Sequence, residues 1–202
     1  MKSLRGFLLF VAGLLGCSMV ASAMDYHIAP MGNNDIVIVM SGPIREGDLN
    51  KLHAFIRNNT KNVHGLFGFA LNSPGGDILE AEAITKFIKK LGVLTIVSDG
   101  DLCASACFLL FAAGKGKLVH PRAKIAVHSV SIGNVENPTA LAATTAMARD
   151  AATVGVPVAI IGKMVAMPAE GIDFLSRDDL QSMGVEFLPN EPDNTFRVKT
   201  GK

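Results

Sequence analysis

Apolar residues along this chain gather in two kinds of stretch. Short unbroken runs, D-I-V-I-V-M at Asp35–Met40, G-L-F-G-F-A-L at Gly65–Leu71 and V-L-T-I-V at Val93–Val97, read as buried strands ended by turn residues. Between them the apolar spacing becomes helical. Leu49, Leu52, Phe55 and Ile56 share one face of Asp48–Asn58, with Asp48 placed to cap, and a second helix covers Ile78–Lys90. Successive strand–turn–helix units imply an α/β fold with a mostly parallel sheet, whose right-handed crossovers bring the turns to one edge.

The flanking segments are weaker. Met24–Asn34 has no clear period and reads as an arm or a first edge strand. Lys115–His128 reads as two short strands around Pro121, the second being Lys124–Val127, and residues 131–138 as an open loop. Helices are expected over Thr139–Val154, Val156–Met167 and from near Ser176 to Met183, then a short strand Val185–Leu188 and a polar tail from Pro189. No internal repeat or low-complexity linker is visible.

At 202 residues the chain fits one domain, expected over 24–202 with its core at about 35–188. Trp is absent and Tyr occurs once, which argues against a nucleic-acid stacking surface, and a formal charge of +1 without a Lys/Arg cluster marks no polyanion partner. Residues 1–23 read as a secretory signal. Lys2 and Arg5 precede the apolar run Phe7–Leu15, and Ala21-Ser22-Ala23 offers small residues for cleavage. Loss of those two cations takes the charge from +1 to −1. Leu14-Leu15-Gly16-Cys17 also resembles a lipoprotein box, in which Cys17 is lipidated and tethers the protein to a membrane, while an uncleaved anchor is disfavoured by the shortness of the run. The expected location is periplasmic or secreted, with a Cys17-anchored lipoprotein as the alternative.

Export leaves two cysteines, Cys103 and Cys107, in an oxidising compartment. Their separation suits a disulfide poorly inside a regular helix, but Cys103 is expected before the helix begins. Two small buried thiols are the other reading.

Ser105 lies between these cysteines, where a Gly-containing turn after Val93–Val97 hands over to the apolar helix ending at Gly114. A hydroxyl there projects from a tight bend beside unpaired N–H groups, as a nucleophile requires; an N-cap or a small packing residue is the bland alternative. Asn72-Ser73-Pro74-Gly75-Gly76-Asp77 ends another strand in a bare-backbone turn, and His128 ends Lys124–Val127. Brought to one rim, these place a hydroxyl, an imidazole and free N–H groups together, with Ser105 as nucleophile, His128 as base, and the N–H groups of Gly76 and Ala106 as oxyanion donors. For the acid that orients His128, Asp173, Glu170, Asp178 and Asp179 qualify by position. His53 reads as structural, His120 belongs at the opposite end of its strand, and His27 and His64 suggest no chemistry. Lys163 could serve in a Ser/Lys pair, although no local motif supports it. The chain lacks H-E-x-x-H and paired C-x-x-C, and Gly114–Lys117 lacks Walker spacing, so no metal or other cofactor is expected.

N-S-P-G-G at Asn72–Gly76, A-S with F-L-L-F-A-A-G within Ala104–Gly114, Pro121 seven residues before His128, and F-L-S…G-V at Phe174–Val185 resemble the proteolytic subunit of the Clp protease, within the Clp-protease/crotonase superfamily. The C-x-S-A-C run at Cys103–Cys107 is similar to that of an exported bacterial group of this superfamily. The resemblance implies a ββα superhelix, a serine peptidase with Ser105 and His128 as its core pair, a peptide or protein substrate, and a homo-oligomer, for which Ala-rich Thr139–Val154 offers a surface. The family's catalytic Asp stands two residues before the Phe of F-L-S, where this chain has Ile172; Asp173 comes one residue late. Export also removes an ATP-driven unfoldase, so an ATP-independent hydrolase is expected. The reading from another class is a non-catalytic peptide-binding or scaffold protein with a degenerate triad. Crotonase-like acyl-CoA chemistry fits export poorly.

Overall fold

The computed structural model describes residues 24–31, 34–130, 137–168 and 170–189. The expected signal at 1–23 with Cys17, most of the expected loop at 131–138, and the tail beyond 189 lie outside the described residues. In chain order the elements are β1 (Asp25–Pro30), β2 (Asp35–Ser41), α1 (Asp48–Asn59), β3 (Gly65–Asn72), α2 (Ile78–Leu91), β4 (Leu94–Val97), β5 (Leu102–Ala104), α3 (Ala106–Ala112), β6 (Lys117–Val119), β7 (Lys124–Val127), α4 (Pro138–Thr153), α5 (Val158–Ala166), β8 (Asp173–Phe174), α6 (Arg177–Ser182) and β9 (Val185–Phe187).

Six strands form a sheet in the order β1-β2-β3-β4-β6-β9, parallel throughout except that β1 runs antiparallel to β2. Alternation along the strands divides its side chains. Ile36, Ile38, Met40, Phe69, Leu71, Val97 and Val119 face the main core, while Ala29, Val37, Val39, Ala70 and Ile96 form a second cluster. The runs are apolar at nearly every position because both sets are buried, and buried Thr95 is satisfied by donating to the Phe111 carbonyl at 2.7 Å.

Every residue of α3 is buried, and α3 packs against α2, whose Ala81, Ile84 and Ile88 belong to the same core. An apolar surface on all sides fits a helix enclosed by protein, and each fully buried Phe contributes roughly 1.5–3 kcal/mol. Asp77 caps α2 by accepting from the Glu80 N–H at 2.8 Å, and Gly92 ends it in the left-handed conformation.

The entry to α1 departs from expectation. Asp48 is buried and accepts from the Arg45 N–H at 2.7 Å and the Lys51 Nζ at 3.0 Å. The helix start is instead held by Glu80 of α2, which accepts from the N–H groups of Gly47 at 3.1 Å and Leu49 at 2.6 Å. Tyr26 joins β1 to this corner, donating to the Asp48 carbonyl at 2.9 Å, and burial raises its phenol pKa.

A second sheet, β5-β7-β8, was not expected from the sequence. β5 runs parallel to β7, and β8 antiparallel to it. The chain does not pass directly from β4 to the Ser105 turn, because β5 intervenes, and strands of two or three residues carry no readable period. Asp99, before β5, receives the Arg122 N–H at 3.0 Å and Nε–H at 2.7 Å from the turn before β7, with Nη2 also in contact. These bonds tie together the entries to both parallel strands.

The side-chain bond from Arg122 holds the Asp99 carboxyl below its ordinary range. Such a group adds stability above its unfolded-state value, about 4, and loses it as pH falls through the lower folded value. Urea unfolding followed from pH 6 downward should therefore show stability declining through that window. Arg122→Gln should flatten the decline and lower the neutral-pH midpoint.

Candidate active site

Ser105 lies between β5 and α3 with φ 56° and ψ −127°, a conformation that L residues rarely adopt. It occupies the N-cap position, but its side chain makes no capping hydrogen bond, unlike Asp77 and Asn137 at the starts of α2 and α4. A conventional N-cap has extended backbone and an accepting oxygen, so Ser105 does not fit that role. Backbone strain of this kind costs on the order of 1–3 kcal/mol and must be held by its surroundings.

Three restraints hold it: a pair of backbone hydrogen bonds, a disulfide and contact with a Gly-rich turn. The Ser105 N–H donates to the Ala126 carbonyl of β7 at 3.0 Å, and its carbonyl accepts from the Phe108 N–H at 2.9 Å. Cys103 of β5 and Cys107 of α3 are joined by a disulfide across a Cα separation of 5.3 Å, so the covalent ring passes through Ser105. Both cysteines are fully buried, and Cys103 precedes the helix as the sequence argument required.

The Gly-rich turn supplies the third restraint. Ser73 extends β3 onto β5 by donating to the Leu102 carbonyl at 2.7 Å and accepting from the Ala104 N–H at 3.0 Å, which lays Gly75 against the Ser105 turn. A Cβ on Gly75 would stand 2.7 Å from the Ala104 oxygen and 2.8 Å from the Ser105 Cβ. Gly75 and Gly76 have φ +96° and +147°. Gly76 bridges to Ile44 through the neighbouring Gly75 carbonyl and Asp77 N–H, at 2.9 and 3.0 Å, so its own N–H takes no part. No acceptor among the described residues takes the N–H of Gly76 or Ala106.

His128 follows β7. Its Nδ1 lies 2.6 Å from the Ser129 carbonyl oxygen, and since a carbonyl only accepts, this contact favours the tautomer with the proton on Nδ1, in which Nε2 has the lone pair a base needs. Gly76, Ile78, Ser105, Ala106, His128, Val130 and Met147 line one cavity of about 170 Å³. Ser105 and His128 thus line the same small chamber. No hydrogen bond joins them among the described residues; such bonds are often long in unliganded sites and tighten when substrate is held. A second depression, lined partly by Arg45, Glu46 and Asp77, shares Gly76, Ile78 and Val130 with the first.

The acids take other positions. β7 and β8 pair Ala126 with Phe174 and Val127 with Asp173. Continued by one residue, this register sets Ile172 opposite His128, and directly opposed residues share a face. Asp173 belongs to the other face, and among the described residues no hydrogen bond joins it to His128. Asp179 accepts from Lys163 at 2.7 Å and from the Ser176 N–H at 2.9 Å, while Glu170 and Asp178 are exposed. The Lys163 bond lowers the Asp179 pKa and that of Lys163 is raised in turn. Lys163 does not line the Ser105 cavity. His53 stacks edge-on against Phe87, and among the described residues no group of three or more His, Cys, Asp or Glu is placed to hold a metal ion.

A family profile described as Clp protease matches residues 23–151, more than half of the chain. The chain belongs to the Clp protease family. Solved structures of similar fold include ClpP1 from Listeria monocytogenes, with TM-score 0.58 at 16% identity over 76% of this chain and 92% of that one. A point mutant of ClpP1 from Listeria monocytogenes gives 0.58 at 15% identity over 75% and 91%. Comparison with curated proteins gives no match. The Clp protease match spans Gly76, Ser105, Ala106 and His128 and ends before Ile172 and Asp173.

Gly75→Ala meets both positive φ and atoms under 3.0 Å away, whereas Gly92→Ala, at φ +65°, meets nothing within 4 Å. The first should lower stability by about 2 kcal/mol or more and the second by about 1 kcal/mol, read from urea midpoints. Equal losses would mean that the Gly75 contact is not tight.

Proposed function

We propose that this member of the Clp protease family is an exported, ATP-independent serine peptidase. The observation that carries the reading is Ser105, held in a strained turn without capping its helix, in one chamber with an imidazole whose Nδ1 meets a main-chain carbonyl. In this mechanism Ser105 Oγ attacks the scissile carbonyl carbon as its proton passes to His128 Nε2. The N–H groups of Gly76 and Ala106 stabilise the oxyanion. Collapse breaks the C–N bond, His128 returns the proton to the departing amine, and a water deprotonated by His128 then hydrolyses the acyl-serine.

The Ser129 carbonyl fixes the productive tautomer but contributes a dipole where an aspartate contributes a full charge, so the imidazolium gains less stabilisation. Ile78, Ala106, Val130 and Met147 give the chamber an apolar lining suited to a small or medium aliphatic side chain. The sequence reading of export supports short peptides, flexible tails or a single dedicated protein as substrate, and the family resemblance supports assembly into a homo-oligomer. Ile172 opposite His128 favours the second reading, a peptide-binding protein with a degenerate site.

A fluorophosphonate probe and an acyl-ester substrate separate these readings in the oxidised 24–202 protein. Wild type should label, while Ser105→Ala should not and His128→Ala should label poorly; each variant should lose ~10³-fold or more in hydrolysis. Equal labelling of wild type and Ser105→Ala, or labelling of neither, overturns the peptidase reading. Peptide binding that survives Ser105→Ala in a protein without hydrolysis supports the binding role.

A further inference from the structure

We propose that Thr144 is a positioning residue for His128, acting through the peptide group between Ser129 and Val130, and that this relay takes the part of the missing carboxylate. The inference rests on the reading of Ser105 and His128 as nucleophile and base. The Ser129 carbonyl accepts from His128 Nδ1 at 2.6 Å, and the Val130 N–H donates to Thr144 Oγ1 at 2.9 Å. That oxygen and that N–H are opposite ends of one planar amide. Holding the N–H end fixes the direction of the carbonyl, and donation from it polarises the oxygen toward stronger acceptance.

The surroundings make the amide rigid. Thr144 is 3% exposed on α4, and the Ser129 N–H donates to the Met167 carbonyl just beyond α5 at 2.9 Å, so two helices clamp the segment after His128. The neighbouring Thr145 shows what a helical threonine ordinarily does, donating back to the Leu141 carbonyl at 2.9 Å. Thr144 instead accepts from outside its helix. A purely structural role, satisfying one N–H, would affect stability without moving the proton on His128, and this difference is measurable.

The test uses the oxidised 24–202 protein, ¹⁵N-labelled at histidine, with Thr144→Val, Thr144→Ser and, should valine not fold, Thr144→Ala. Wild-type His128 should carry its proton on Nδ1. Thr144→Val should mix the tautomers and lower kcat for an ester substrate about tenfold, the worth of roughly one neutral hydrogen bond, with KM little changed. Thr144→Ser should restore both. A wild-type proton on Nε2, or folded variants lacking the hydroxyl with tautomer and kcat unchanged, overturns the relay while an active wild type keeps the peptidase reading. A hydroxyl-dependent tautomer in a protein that neither labels nor hydrolyses supports the positioning of the ring and overturns the peptidase reading.

Discussion

The contact between the bare backbone of Gly75 and the Ser105 turn joins the two halves of the structure. β3 belongs to the six-stranded sheet and β5 to the smaller one, and Ser73 carries the ladder from one to the other. That extension brings the Gly75-Gly76 turn to within van der Waals range of a serine whose backbone is itself strained. Side chains at 75 would separate the sheets where they need to touch. The chamber containing Ser105 and His128 is a product of this close approach.

Several independent forces act on the same small region. A disulfide joins the strand before Ser105 to the first turn of the helix after it, a ladder bond from β7 fixes its N–H, and fully buried α3 anchors the far side. The Asp99–Arg122 contact secures the approaches to β5 and β7. Each restrains Ser105 relative to His128, consistent with strain at a site where a hydroxyl must project without local partners.

Much of this was legible in the chain. Asp35–Met40, Gly65–Leu71 and Val93–Val97 announced the central strands because burial on both faces leaves few polar positions, and the helical spacing announced α2. Ser105, Gly76, Ala106 and His128 were recognisable as candidates from their places at strand ends. β5 and β8 were not, being too short for periodicity. The signal from Glu80 to α1 was also hidden, since a cap supplied by another helix leaves no local pattern. Thr144 was missed for a related reason: its partner is a backbone N–H fourteen residues earlier, and Ala-rich α4 reads as packing or assembly surface. Ile172 was visible as a departure at the position expected for an acid, but only the register with β7 set it opposite the imidazole.

The acceptor for His128 Nδ1 belongs to the main chain. Such an oxygen is encoded by no particular codon: exchanging the side chain at position 129 leaves an oxygen in the sequence, whereas an aspartate can be erased by one base change. Genetic drift can therefore reach this device only by altering the path of the backbone or the helices that grip it.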